Sequence, residues 1–555
     1  MKKKISIAVI VLLLSQVSLF FGGCGKKVKY DPTKTQLFIH SQEGGFGSEY
    51  VREISNAFAE EFKDVSFEEG KTGVEPVIEA HKGESLNRLW MTKYDVVFGE
   101  SVQYYDLAMQ GNIFLDISDI INDILPGEGK SINDKLRPAH KSMIPAIDGK
   151  YYALPSYEYF FFLCYDADLF EEKRLYFADN KSNGNDGFIL SATDKRSAGP
   201  DGEYNTYDDG LPVTIEDFFK LCSYMRQRNV TPFIWTGEYP AYIRKFLRQL
   251  MGVYDGKNFS SNFTFSGQSE IVTGMTGNSV KLTNNFSMTL PQTQTMSISP
   301  ETGYRLNQSA GRYYSLAFLE AMLSDPGFYD PRSFSQVESH LQAQEDYIYS
   351  RLENEPIAML VEGNYWENEA KGAFARSEKD YPNTAKNRRF AVMPLPRLDE
   401  TSPFEKYHNM DNAKAYLFIN QAGVEGNEGK VKLAKEFLKF FYRDINLQTF
   451  TTITGTTIAA DYKLTDAQYN GLSFYRKSVW DYLQNSEMVY QASGSEFYIR
   501  NSSTLEQDML YYNTRVGSAS YSFAQTAMRN SGVSAINYFN GMAVAEQTWR
   551  NKYAF

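Results

Sequence analysis

The sequence predicts an α/β protein built around more than one core, and three observations carry that expectation. Strand-like apolar runs alternate with amphipathic helix signals along most of the chain, the pattern of a mostly parallel sheet flanked by helices. At 555 residues the chain exceeds what one hydrophobic core usually supports, so two domains are expected. Cysteine occurs only as Cys24, Cys164 and Cys222, so ordinary packing rather than a disulfide framework must hold the fold.

Taken in order, the chain begins with Lys2, Lys3 and Lys4, an apolar run from Ile5 to Phe21, and the stretch Gly22-Gly23-Cys24-Gly25. A basic head, a greasy segment and a small-residue cleavage site describe an export leader, and a cysteine directly after it resembles a bacterial lipoprotein signal. Phe21 stands where such signals usually carry leucine. A membrane-spanning helix fits less well, because Ser15, Gln16 and Ser18 interrupt a run shorter than the ~20 apolar residues a span needs. Cleavage before Cys24 would leave its thiol to carry lipid, and the polar segment to Pro32 reads as a tether.

Leu37-Phe38-Ile39 reads as a strand entering the glycine-rich turn Gln42 to Ser48, followed by a helix with Ile54, Phe58 and Phe62 on one side. Val96-Val97-Phe98-Gly99 repeats the step, with a helix carrying Tyr105, Leu107 and Met109 that Gly111 ends. Ligands of such sheets bind at loops beyond the strand ends, which marks Gln42 to Ser48 and Glu100 to Tyr104 as rim positions. Phe160 to Tyr165 is a buried strand, Thr214 is placed as N-cap of a helix with Asp217 at its third position, and Thr231 to Trp235 ends that unit. Residues 255–310, rich in Ser, Thr, Asn and Gly, read as irregular surface loops. Ile357 to Ala370 is a buried strand turning into a helix, Phe390 to Pro396 and Ala415 to Ile419 are strands, and Ala434, Phe437, Leu438 and Phe441 form an apolar stripe. Cys164, inside a strand, and Cys222, on a face with Phe218, Phe219 and Met225, read as core thiols.

The formal charge of −11 and pI near 5.3 exclude a polyanion partner such as nucleic acid, which needs clustered Lys and Arg. Tyrosine and phenylalanine, 39 of each, outnumber the 5 tryptophans. Many rings must be core, yet abundant tyrosine on an exported acidic protein suits neutral, hydroxyl-rich ligands.

Five passages in this order resemble the extracellular solute-binding proteins of sugar-binding family 1, receptor subunits of bacterial ABC importers. They are the leader, Gly149–Pro155 with Tyr165–Glu172, Thr214–Trp235, Ile357–Ala370, and Phe390–Pro396 with the Ala434–Phe441 stripe. The resemblance implies an α/β, two-lobe periplasmic-binding-protein-like fold of type II with the ligand cleft between lobes. Carried onto this chain it gives a signal peptide at 1–23, a tether at 24–34, lobe one at 35–153 plus 392–455, and lobe two at 154–391 plus 456–555 with an acidic insertion at 179–212. Hinges are expected at Ala153-Leu154-Pro155 and Met393-Pro394-Leu395-Pro396, where proline limits the paths of a crossing strand.

Trp366 is the leading candidate for a ligand contact, with Tyr365 beside it in a Gly-Asn-Tyr-Trp turn at a strand end. Similar receptors place a sugar-stacking tryptophan there, and an aromatic ring covers the C–H face of a pyranose while carboxylates and amides bind its hydroxyls. Trp235 and Tyr239 at another strand end, Tyr157 after the first hinge, Glu43 and the Gly44-Gly45 amides, and Trp480 complete the expected set; Trp90 is weaker, and Trp549 reads as structural. In the insertion, Asp201, Glu203, Asn205 and Asp209 place oxygen side chains at alternate positions, a donor set suited to one structural Ca²⁺, with a solvated acidic loop as the plainer alternative. Thr206 and Pro212 stand where an EF-hand needs Gly and Glu.

The five histidines show no paired metal spacing, and no Gly-x-Ser-x-Gly or Gly-Lys-Ser/Thr loop occurs. The expectation is therefore a non-enzymatic, monomeric, lipid-anchored receptor on the outer face of a Gram-positive-type cell. It needs no cofactor and passes an oligosaccharide to ABC permease subunits. The alternatives are a secreted polysaccharide-degrading lipoprotein, or a receptor for a peptide or polyamine.

Overall fold

The computed structural model describes residues 30–81, 92–100, 113–144, 147, 149–179, 187–380, 388–399, 406–411, 415–490 and 495–555. In chain order its described strands are β1 (Thr35–Gln42), β2 (Val74–His81), β3 (Val96–Glu100), β4 (Leu154–Pro155), β5 (Phe161–Asp166), β6 (Thr231–Ile234), β7 (Gln268–Lys281), β8 (Ser287–Ser297), β9 (Ile357–Gly363), β10 (Phe390–Met393), β11 (Tyr407–Asp411), β12 (Ala415–Ile419), β13 (Ser486–Tyr490), β14 (Thr514–Val516) and β15 (Ala519–Tyr521). The first sheet has the order β2-β1-β3-β12-β4 and the second β10-β5-β9-β6. β1, β2 and β3 are mutually parallel and β12 runs against β3, so the C-terminal edges of the parallel strands point their loops the same way.

In the first sheet, Leu37 and Ile39 of β1 and Phe98 of β3 share one buried apolar cluster with the helices Glu49–Glu61 and Glu428–Phe441. Phe58 lies edge-on to Phe437 at 5.3 Å and Phe98 to Phe441 at 5.1 Å. Each such ring contributes about 1.5–3 kcal/mol when fully buried. In the second sheet, β5 and β9 are buried along their whole length because both faces are covered, and all but Asp166 and Glu362 of their residues are uncharged. Leu163 and Tyr165 face one core with Phe218 and Phe318, while Phe162 and Cys164 face another with Leu360 and Tyr475. Cys164 and Cys222 are buried, free thiols, as the sequence led us to expect.

Thr214 caps the helix Ile215–Gln227, its side chain accepting from Asp217 N at 3.2 Å. Residues 268–297 differ from the irregular surface expected: β7 and β8 form a long antiparallel hairpin with two register shifts. Its Thr, Ser and Gln are exposed on much of both strands, so no apolar alternation announced it.

The chain crosses from the first sheet to the second between β4 and β5. Here Tyr157 bridges Ile458, Glu158 N donates to Thr457 O at 3.0 Å, and Ala459 N donates to Ser156 O at 3.2 Å. Met393 to Pro396, the other expected hinge, stays with the second sheet, because Leu395 is in its core and Arg397 pairs with Thr214. Among the described residues no helix is long and apolar enough to cross a membrane.

Candidate functional site

The crossing segment is extended, so successive side chains leave it on opposite sides. Tyr157 and Tyr159 point to a seam between the two sheets, and Glu158 points away from it to His140 and Tyr490. Four strand ends supply the rest of the seam. The loop after β1 brings Gly45 and Phe46, β3 ends on Glu100, β5 begins at Phe161, and β9 ends on Glu362-Gly363 before Tyr365.

Phe46 lies 4.4 Å from Tyr157 and 5.4 Å from Tyr365 between ring centroids, and Tyr159 lies 5.7 Å from Tyr365. Gly45 is required here: a Cβ on it would sit 2.1 Å from the Tyr365 ring. Asn368 Nδ2 donates to Gly45 O at 2.7 Å, tying the loop of the first sheet to the turn of the second. The Tyr157 hydroxyl donates to Glu100, and burial followed by that carboxylate pushes the phenol far above its ordinary range.

The helix Ala241–Asp255 presents Tyr242 and Lys245, three residues apart, to the same place. Tyr242 stands perpendicular to Phe161 at 5.0 Å, and the Lys245 ammonium lies 4.9 Å from the Phe161 ring centre and donates to Tyr159 Oη at 3.4 Å. Burial brings Lys245 down to about 8 against the pull of Glu100 and Glu362. Burial and then the neighbouring Glu369 push Glu362 up to about 8, and Gln344 Nε2 donates to both acids, at 3.0 and 2.7 Å. The seam thus offers aromatic faces, a cation and a carboxyl that holds a proton near neutrality, which together suit a ligand with both apolar ring faces and hydroxyls.

Of the residues singled out in the sequence, Tyr157, Gly45 and Tyr365 meet at this seam. Tyr239 is exposed at its margin, 6.5 Å from Tyr242 and 5.4 Å from His340. The side chain of Glu43 is exposed. Trp366 is a correction: it is fully buried beneath the second sheet, edge-on to Tyr347, Phe374, Phe390 and Tyr475 at 5.0–5.8 Å. The turn was located correctly, but one residue of rotation puts Tyr365 into the seam and Trp366 into the core. Trp235 is likewise core, packed on Tyr329 and Phe334. Trp480 is half-buried and lines a different cavity, which shares no lining residue with the seam. Trp549 is structural, donating to Pro300 O at 2.8 Å. Cys24 and Trp90 lie outside the described residues, as do positions 101–104 of the second expected rim.

The acidic loop at 201–209 is held by local contacts. Its oxygens are turned onto the loop's own backbone: Asp201 Oδ1 accepts from Glu203 N at 2.8 Å, Asp209 Oδ2 from Asn205 N at 2.9 Å, and Asp208 Oδ2 from Asp201 N at 3.1 Å. Among the described residues no group of three or more acidic, His or Cys side chains is arranged to hold a metal ion.

Phe46 and Glu100 fall within the two rims expected from the sequence, whereas Tyr159, Tyr242, Lys245 and Glu362 were not anticipated. The spacing of Tyr157 with Tyr159 along an extended segment, and of Tyr242 with Lys245 on a helix, was the available signal.

No family model matches the sequence, and no curated protein matches it. Solved structures do. The chain superposes on a chitin oligosaccharide binding protein at 13% identity, with a TM-score of 0.54, over 94% of this chain and 100% of that one. It matches the sugar-binding protein MalE of Xanthomonas citri at 11% identity and TM-score 0.52, over 94% and 98%. A probable secreted solute-binding lipoprotein of Streptomyces coelicolor matches at 13% identity and TM-score 0.51, over 94% and 100%. These structural neighbours are binding proteins rather than enzymes. The chain has the α/β, two-lobe periplasmic-binding-protein-like fold that they share.

Proposed function

We infer that this chain is a lipid-anchored extracellular receptor of the sugar-binding family 1 kind, which captures an oligosaccharide in the seam and presents it to the permease subunits of a bacterial ABC importer. The observation that carries this reading is the convergence of Phe46 and Glu100 from the first sheet with Tyr159, Tyr242, Lys245, Glu362 and Tyr365 beside a paired crossing of the chain. Sugar binding by proteins of the same fold, one of them named for chitin oligosaccharides, supports it. Lipidation at Cys24 rests on the leader sequence alone.

In this mechanism each half alone offers an incomplete site. A ligand that touches both halves favours the closed arrangement because only that arrangement supplies both sets of contacts. Tyrosine rings cover sugar C–H faces, Lys245 and protonated Glu362 donate to ring hydroxyls, and Glu100 accepts from them. Calorimetric titration of chitin, xylan-derived and malto-oligosaccharides, with product analysis of each mixture, tests the reading. Binding without cleavage supports it; turnover points to the polysaccharide-degrading alternative, and affinity for polyamines or peptides alone rejects sugar capture.

A further inference from the structure

Behind the crossing segment lies a cavity of about 350 Å³, in the size range of small-ligand pockets. Its floor is made by the buried side chains of His140, Glu158 and Tyr490, and its wall by Trp480 and Tyr462, whose rings stand 6.0 Å apart. The Glu158 carboxylate already accepts from the Tyr490 hydroxyl and from Thr457 Oγ1 at 2.5 Å, so it calls for no cation. Burial, reinforced by Arg137, holds His140 down to about 3, so the imidazole is neutral. Its Nδ1 makes no hydrogen bond although the residue is only 1% exposed, which is costly for a buried polar atom. At the mouth, Arg137 and Lys406 are balanced by Asp461 and Glu487, all four exposed.

We propose that this cavity is a second ligand site, distinct from the seam, that takes a small neutral polyhydroxylated ring such as a monosaccharide or cyclic polyol. The half-buried indole of Trp480 supplies an apolar face, the mixed rim supplies donors and acceptors for hydroxyls, and the balance of rim charge selects against an ionic guest. This site does not depend on the seam binding an oligosaccharide. Since Glu158 sits between Tyr157 and Tyr159, a guest on the cavity floor lies one residue from two seam tyrosines.

The test is ligand-observed NMR of the protein with myo-inositol, glucose and N-acetylglucosamine. At least one of the three is expected to bind, and Trp480→Ala to weaken it at least tenfold, whereas Tyr242→Ala in the seam leaves it within twofold. Asp461→Ala, an exposed rim change, is expected to weaken it severalfold and carries the test should Trp480→Ala fail to fold. Absence of binding by all three, or binding removed by Tyr242→Ala and untouched by Trp480→Ala and Asp461→Ala, overturns the proposal. Oligosaccharide titration of the same variants reports on the seam separately, so the two readings fail independently.

Discussion

Gly45→Ala is the sharpest perturbation of the seam. The added methyl carbon would lie 2.1 Å from Tyr365 Cδ2, whereas ordinary contact begins at 3.4 Å, so loop and ring must separate by roughly 1.3 Å. Gly45 does not use the left-handed backbone region, so alanine strains nothing locally and the first sheet keeps its fold. What is lost is the closed seam: the Asn368 to Gly45 hydrogen bond, about 1 kcal/mol net, and part of the Phe46–Tyr365 contact, about 0.5–1.5 kcal/mol. A penalty of about 2 kcal/mol on the binding-competent arrangement raises Kd roughly 30-fold. Calorimetry on wild type, Gly45→Ala, Tyr365→Ala and the double variant measures it, because removing the ring removes the clash. Unchanged affinity in Gly45→Ala, or an undiminished cost of Gly45→Ala in the Tyr365→Ala background, would refute the reasoning.

Three further outcomes are expected. Trp366→Ala should lower stability by about 3–5 kcal/mol, read as a large fall in the urea midpoint, since it empties a packed interior rather than a ligand wall. Glu362 is held protonated in the fold, with its carboxyl raised from 4.5 to about 8, so its contribution to stability is fully present below pH 4.5 and is lost as pH rises towards 8. Glu362→Gln should therefore flatten the fall of Tm between pH 4.5 and 8, and an identical pH profile would remove that role. A chelator should leave Tm unchanged, because backbone amides already occupy the oxygens of Asp201 and Asp209; a fall of several degrees would restore the calcium site.

Much of the fold was legible where burial is dictated by local pattern. Leu37–Ile39, Val96–Phe98, Phe161–Tyr165 and Ile357–Val361 are apolar because helices or loops cover both faces of their sheets, and the Ala434–Phe441 stripe and the Thr214 cap are set within a few residues. The hairpin at 268–297 was not legible, since its polar exposed residues carry little two-residue alternation. The pairing of Tyr157 with Ile458 joins positions about 300 apart in sequence, beyond any local signal. Trp366 was misplaced because strand-end reasoning finds a turn but not which of two adjacent rings faces outward. Lys245 and Glu362 acquire shifted proton affinities only through burial in the fold, so charge counting could not single them out.

The central claim, that the two halves close over a carbohydrate at the seam, is tested most directly by a crystal structure of the protein with the tightest oligosaccharide from the titrations. Sugar rings are expected against Tyr242 and Tyr365, with hydroxyls reaching Lys245, Glu362 and Glu100. A sugar bound elsewhere while the seam stays empty would contradict it.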